Sequence, residues 1–325
     1  AYIQRALAQQ QTGRFDLAIA DYDAILQINA KHSQAQRQRE IVYKRLLNDE
    51  RALKSLPRAQ KVDFYVNLFK SDSLLRSLPP KRRAAIGIEL AKLGDPRPEV
   101  MTIDGMEFCY VPPGPFWMGS DEAGDDDNKP LHQVKIPYGY WIGRYPVTNA
   151  QYKAFMDDNG YGNPAFWAEA KDAGIWKAGQ VQGRYDSKWR TAPRWWYSST
   201  DNLPNHPVVA VMWYEALAFT RWLSQQTGGP ARLPSEAEWE KAARGTDGRK
   251  YPWGNVALSG QDIGEWDDRV GSHPRDKSPY GLFDMYGTTP EWTADWFDPD
   301  YYSNAPTDNP TGPEPSPNSK LKLAR

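Results

Sequence analysis

All 14 tryptophans fall between Trp117 and Trp296, and residues 1–100 contain none. A chain in which the largest apolar side chain begins so abruptly is built from at least two parts, one of them packed on aromatic bulk. At 325 residues there is length for two or three domains and a well-buried core. The join falls in "LGDPRPEV", residues 93–100, where Gly94 can end a helix and Pro96 and Pro98 block its continuation.

Before that join the pattern is helical. In "TGRFDLAIADYDAILQINAKHSQA" the positions Phe15, Ala18, Ile19, Tyr22, Ile25 and Leu26 recur three or four apart, one stripe on a helix that starts after the Gly13 turn. With the preceding "AYIQRALAQQQ" this resembles a tetratricopeptide repeat, in which small residues such as Ala6 and Ala18 let two helices approach closely. One repeat is visible where stacking usually needs about three. Residues 1–50 therefore read as a tetratricopeptide-like segment, serving either as a scaffold for a protein or peptide partner or as a helical spacer. Residues 51–100 read as a helical linker, with amphipathic stretches at "KVDFYVNLFK" and "PKRRAAIGIELAKL".

Charge excludes some functions. Forty basic side chains balance 41 acidic ones, so the electrostatic footprint of a nucleic-acid binder or an anionic-membrane binder is missing. No apolar run approaches the roughly 20 residues that cross a bilayer. Cys109 is the single cysteine, which rules out an intrachain disulfide and favours a reducing, cytoplasmic compartment. The opening on Ala1 fits a fragment or a processed chain.

After the join, short strands and turns alternate with a few well-signalled helices. "GMEFCYVPPGPFWMGS" reads as strand, Pro/Gly turn, strand. Thr148 with Gln151, and Ser235 with Glu238, are capping boxes that open helices, and the Gly228-Gly229 pair closes the helix of "WYEALAFTRWLSQQTGG". The blocks "VPPGPFWMGSDE", "WIGRYPVTNAQYKAF", "HPVVAVMWYEALAFTRWL", "RLPSEAEWEKAARG", "YPWGN" and "YGLFDMYGTTPEWTADW", in this order, resemble the formylglycine-generating enzyme, or sulfatase-modifying factor, domain. The fold class expected is α+β: a variant of the C-type lectin fold over residues 101–325, preceded by the all-α segment.

What that resemblance implies about chemistry is mixed, because related domains serve as oxidases, as parts of sulfur-transfer enzymes and as binding modules. Formylglycine-generating enzymes oxidise a substrate cysteine with two cysteines of their own, which hold copper and follow an Arg-Gly-Gly-Ser-Trp block. This sequence ends "NSKLKLAR", which looks like the lead-in to that block with Arg325 as its first residue. The resemblance thus implies no catalytic residue and no copper in this chain. Cys109 does not replace the missing pair, since one thiolate holds Cu(I) poorly, and it reads as a buried structural thiol. His32, His132, His206 and His273 are scattered without ligand spacing. The His pairs of the related iron enzymes of ergothioneine formation are also missing. Members of the family hold structural calcium through oxygen ligands, and Asp262 and Glu291 match ligand-type positions. The usual Gly-Asn pair is Gly287-Thr288 here.

Two further features concern recognition. The acidic run at residues 120–129 reads as a solvated turn. The insertion at 160–205 interleaves tryptophans with Arg and Tyr, and Arg194, Trp195 and Trp196 are its candidate binding residues for an unknown ligand; the competing reading is that these rings cover the core. In "WTADW" a strand period places Trp292, Ala294 and Trp296 inward and Thr293 and Asp295 outward. The expectation for the whole is a non-catalytic recognition module joined to a helical adaptor within a larger multidomain, signalling or protease-associated system. The alternatives are a copper oxidase acting on protein cysteine whose cysteine-bearing segment lies outside this chain, and a chain that is a substrate or product of proteolysis after Arg325.

Overall fold

The computed structural model describes residues 2–122, 128–197, 202–258, 269–287, 289–314 and 322–325. The chain divides into two compact units, Ala1–Pro96 and Arg97–Arg325. The first holds α1 (Tyr2–Gln11), α2 (Phe15–Ile28), α3 (Ser33–Asn48), α4 (Glu50–Ser55), α5 (Arg58–Phe69), α6 (Asp72–Arg76) and α7 (Pro80–Leu93). Gly13 turns between α1 and α2 with φ 76°, a conformation that costs glycine nothing. The small Ala6 and Ala18 are fully buried with Tyr22 where the two helices meet. A second cluster gathers Tyr43, Phe64, Tyr65, Leu68, Ile86 and Leu90, with Tyr43 and Phe64 stacked at 4.7 Å. Asp49 and Ser71 cap α4 and α6 by accepting from the N–H groups of Ala52 and Leu74. Gly94, at φ 91°, ends α7.

The second unit runs α8 (Pro98–Met101), β1 (Phe108–Val111), β2 (Gly114–Met118), β3 (His132–Ile136), β4 (Tyr140–Gly143), α9 (Asn149–Asp157), α10 (Ala168–Asp172), β5 (Trp176–Lys177), β6 (Gln180–Val181), α11 (Trp213–Thr227), α12 (Glu236–Arg244), β7 (Trp292–Trp296), α13 (Tyr301–Asn304) and β8 (Lys322–Ala324). The strands form antiparallel pairs: β1 with β4, β2 with β3, β5 with β6, and β7 with β8. The strands on either side of the Pro112-Pro113 turn thus pair with different partners. Lys241 of α12 is fully buried, and its ammonium donates to the carbonyls of Pro112 (2.7 Å) and Gly114 (2.9 Å), pinning that turn.

With so little regular structure, aromatic rings supply the buried area. Tyr152 and Phe155 of α9, Phe219 and Trp222 of α11, and Phe166 and Trp167 of the insertion form the largest cluster. Tyr152 stacks on Phe219 at 5.6 Å. Both capping boxes form as spacing predicts. Thr148 and Gln151 exchange bonds at the start of α9, Ser235 and Glu238 at the start of α12, and Gly228 ends α11 in the left-handed conformation.

The face of β7 is the reverse of the one expected. Thr293 and Asp295 are buried, Ala294 is exposed, and Trp292 and Trp296 are half-buried. The reason is polar. The Asp295 carboxylate accepts the N–H of Glu236 at 2.8 Å, satisfying one of the open donors at the start of α12. The indoles at the flanks still bond inward: Trp292 Nε1 donates to the Val211 carbonyl at 3.0 Å, and Trp213 Nε1 to that of Thr293 at 2.9 Å.

Candidate functional site

A buried carboxylate helps fasten the insertion between α9 and α11 to the core. Glu215, on the first turn of α11, is fully buried. It accepts from the Met212 N–H (2.8 Å), from the Arg190 guanidinium through both oxygens (Nη2 to Oε2 2.8 Å) and from the Tyr161 hydroxyl. Burial pushes the Glu215 pKa up against the pull of Arg190. Burial opposes the Arg190 charge, but Glu215 and Asp186 outweigh it and hold its pKa above the usual value. The Arg190 backbone also exchanges bonds with Val181 at 2.8 and 2.9 Å, closing the insertion on itself.

That anchorage sets where the next residues go. Trp196 lies in the core beside Tyr152, at 6.2 Å between rings. Trp195 is turned outward and is 57% exposed. Arg194 sits with its Nε 3.3 Å from Asp186, and its N–H donates to the Ala210 carbonyl at 3.3 Å. Trp195 lines a cavity of about 310 Å³ whose lining also includes His206–Val211, Thr289, Pro290, Trp292 and Ala324. Its walls are mostly apolar, and His206 is the one titratable side chain in that lining.

Part of the lining is the run His206–Val211, in which Pro207 bridges Thr148 in antiparallel register. The carbonyl of His206 accepts from Asn149, the N–H of Val208 donates to Val147, and the carbonyl of Ala210 accepts from Arg194. The alternate residue, Val209, has no hydrogen-bond partner among the described residues. Ala210 follows with φ 56°, a left-handed conformation that a residue with a Cβ adopts only where its surroundings enforce it. Sequence spacing announces neither feature.

The other candidates lie elsewhere. Asp262 falls outside the described residues. The Glu291 carboxylate accepts from Trp239 Nε1 at 2.7 Å, and burial pushes its pKa up to about 7. Cys109 is buried in the cluster of Val111, Ala242 and Leu282, and burial raises its thiol pKa.

Residues 94–322 match the sulfatase-modifying factor enzyme 1-like domain. The chain belongs to that family. A formylglycine-generating enzyme from Thermomonospora curvata is 34% identical over 247 residues, which are 63% of this chain and 77% of that protein. A hercynine oxygenase from Mycolicibacterium smegmatis is 35% identical over 198 residues, 57% of this chain but only 44% of that enzyme. The solved structure of PvdO from Pseudomonas aeruginosa is 26% identical, with a TM-score of 0.45 over 64% of this chain and 77% of that one.

Proteins of the sulfatase-modifying factor family thus carry different names on one domain, and the residues of each site decide the chemistry. Among the described residues no group of three or more His, Cys, Asp and Glu is placed to hold a metal. Cys109 is the one thiol in the chain and lines neither this cavity nor a smaller one beside Trp296, so the described residues do not fit a thiolate copper site. Glu291 faces an indole donor.

Proposed function

We propose that the sulfatase-modifying factor domain of this chain is a recognition module that binds an extended, mainly apolar polypeptide segment between Trp195 and Trp292. The observation that carries the reading is the mostly apolar cavity lined by Trp195, Trp292 and the run His206–Val211, in which Val209 has no hydrogen-bond partner among the described residues. Such an arrangement favours addition of a strand, with main-chain bonds for affinity and side-chain pockets for selectivity. At about 310 Å³ the trough falls at the small end of the range for ligand sites. The exposed indole of Trp195 is the kind of rigid side chain that dominates such interfaces. Helices α1 and α2, packed through Ala6 and Ala18, would act in the same protein as a tetratricopeptide-like adaptor for a partner, and the single cysteine suits a reducing compartment such as the cytoplasm.

Peptides selected from a display library for binding to this protein test the reading. Trp195→Ala should weaken the selected peptides by about 30-fold or more, the effect of losing a central aromatic anchor. Unchanged affinity would move the binding face elsewhere.

The alternative is oxidation of a protein cysteine, supported by the 34% identity to a formylglycine-generating enzyme. It predicts that a protein in which this chain is joined to a segment carrying the two cysteines, given copper and oxygen, converts the thiol of a cysteinyl peptide to an aldehyde. The recognition reading predicts an unchanged peptide mass.

A further inference from the structure

Beside β7 the structure holds a cation between two indoles. The ammonium of Lys322 lies 4.0 Å from the ring centroid of Trp213 and 3.9 Å from that of Trp296. Its one described hydrogen bond runs to the Ala294 carbonyl at 2.9 Å. Two aromatic faces and a carbonyl oxygen are the components from which proteins build receptors for ammonium groups, since the negative face of an indole attracts the charge without forming a directed bond.

We propose that Trp213 and Trp296 form a receptor for a primary alkylammonium group, the side-chain chemistry of a lysine on another polypeptide, in which Lys322 of the same chain sits as an internal occupant. Three observations support this beyond the ring distances. Trp213 is held by its bond to the Thr293 carbonyl, and Trp296 lies on β7 opposite Lys322 in the β7–β8 pairing. Trp296 also lines a cavity of about 200 Å³ with Glu236, Asp298, Tyr301, Tyr302 and Arg325, so the receptor adjoins a space bordered by aromatic rings and by Asp298, the Glu236 carboxylate there being paired with Arg325. The occupant is a flexible four-carbon stem on a strand of three residues, Lys322–Ala324, so it can leave the slot by rotating its own side chain.

Burial pulls the Lys322 pKa down to about 8 against the attraction of Asp295 and Glu169, so desolvation weakens the hold of the slot on its internal ammonium. Trp213, Trp296 and Lys322 do not line the Trp195 cavity, so this inference stands apart from the recognition reading above.

The experiment uses n-butylammonium as the probe, n-butanol as its neutral analogue, and the full chain with Lys322→Ala to vacate the slot. Tryptophan fluorescence should change saturably with n-butylammonium in the variant, with half-saturation on the order of 10 mM for so small a ligand. The parent should need about tenfold more, because its own lysine competes, and n-butanol should leave the variant unchanged. Adding Trp296→Leu to Lys322→Ala should abolish the response. If Lys322→Ala does not fold, its refolding in n-butylammonium supplies the readout: recovery with the amine and not with the alcohol supports the receptor. Equal responses of parent and variant, equal responses to amine and alcohol, or recovery with neither would overturn it.

Discussion

Replacing Arg190 by Met removes the guanidinium that faces Glu215 and Asp186 while keeping most of the aliphatic stem. Glu215 would then keep only the Met212 N–H and the Tyr161 hydroxyl around a carboxylate with no exposed surface. Breaking a buried pair from one side costs about 3–5 kcal/mol, because the remaining charge is left uncompensated. The cost depends on pH in a definite direction. Burial already holds the folded pKa of Glu215 above its ordinary value, and loss of Arg190, which pulls it down, raises it further. A raised carboxylate contributes stability that is complete below the unfolded pKa, about 4.3, and is lost as pH rises through the folded pKa. The Arg190→Met deficit should therefore be smallest near pH 5 and grow by up to about 1.4 kcal/mol per pH unit until the folded pKa is passed. Urea denaturation followed by tryptophan fluorescence at pH 5, 6, 7 and 8 measures it. The double variant Arg190→Met/Glu215→Gln should recover part of the loss and show no such slope. A single variant within about 1 kcal/mol of the parent at pH 7, or a deficit independent of pH, would refute the reasoning.

Asp276 is fully buried beside Asp284, and burial with that like charge pushes its pKa up to about 8; its contribution is complete below about pH 4 and is lost as pH rises toward 8, so Asp276→Asn should flatten the fall in melting temperature between pH 5 and pH 8.5. An unchanged fall would assign it to other groups. Because Asp295 accepts the Glu236 N–H at the start of α12, Asp295→Ala should cost about 1–2 kcal/mol. Ala294→Ser, on the exposed side of the same strand, should stay within about 0.5 kcal/mol in the same denaturation assay, and the opposite ranking would restore the inverted face.

The local signals in the sequence are carried by neighbours along the chain, and those were legible. Thr148 finds Gln151 and Ser235 finds Glu238 three residues on, so the starts of α9 and α12 could be read directly. Gly228 needs no partner to end α11. The ordered blocks from "VPPGPFWMGSDE" to "YGLFDMYGTTPEWTADW" were legible too, and they carry the family. What was hidden depends on residues far apart. Period two in "WTADW" left open which face is buried, and hydrophobicity favoured the wrong one. The choice was made by a hydrogen bond from Glu236, 59 residues away in sequence, to Asp295. Likewise no spacing pairs Arg190 with Glu215, yet that pair separates the outward Trp195 from the buried Trp196. The positive φ of Ala210 was invisible because the residue type argues against it.

Fluorine NMR of the protein labelled with 5-fluorotryptophan, titrated with a peptide selected for binding, tests the central claim directly, because each indole reports its own surroundings. The recognition account predicts that the resonances of Trp195 and Trp292, assigned by single Trp→Phe substitutions, shift together and saturate at one peptide per chain. That of Trp222, buried between α9 and α11, should stay in place. Saturable binding that leaves Trp195 and Trp292 unmoved, or selection that yields no peptide at all, would contradict it.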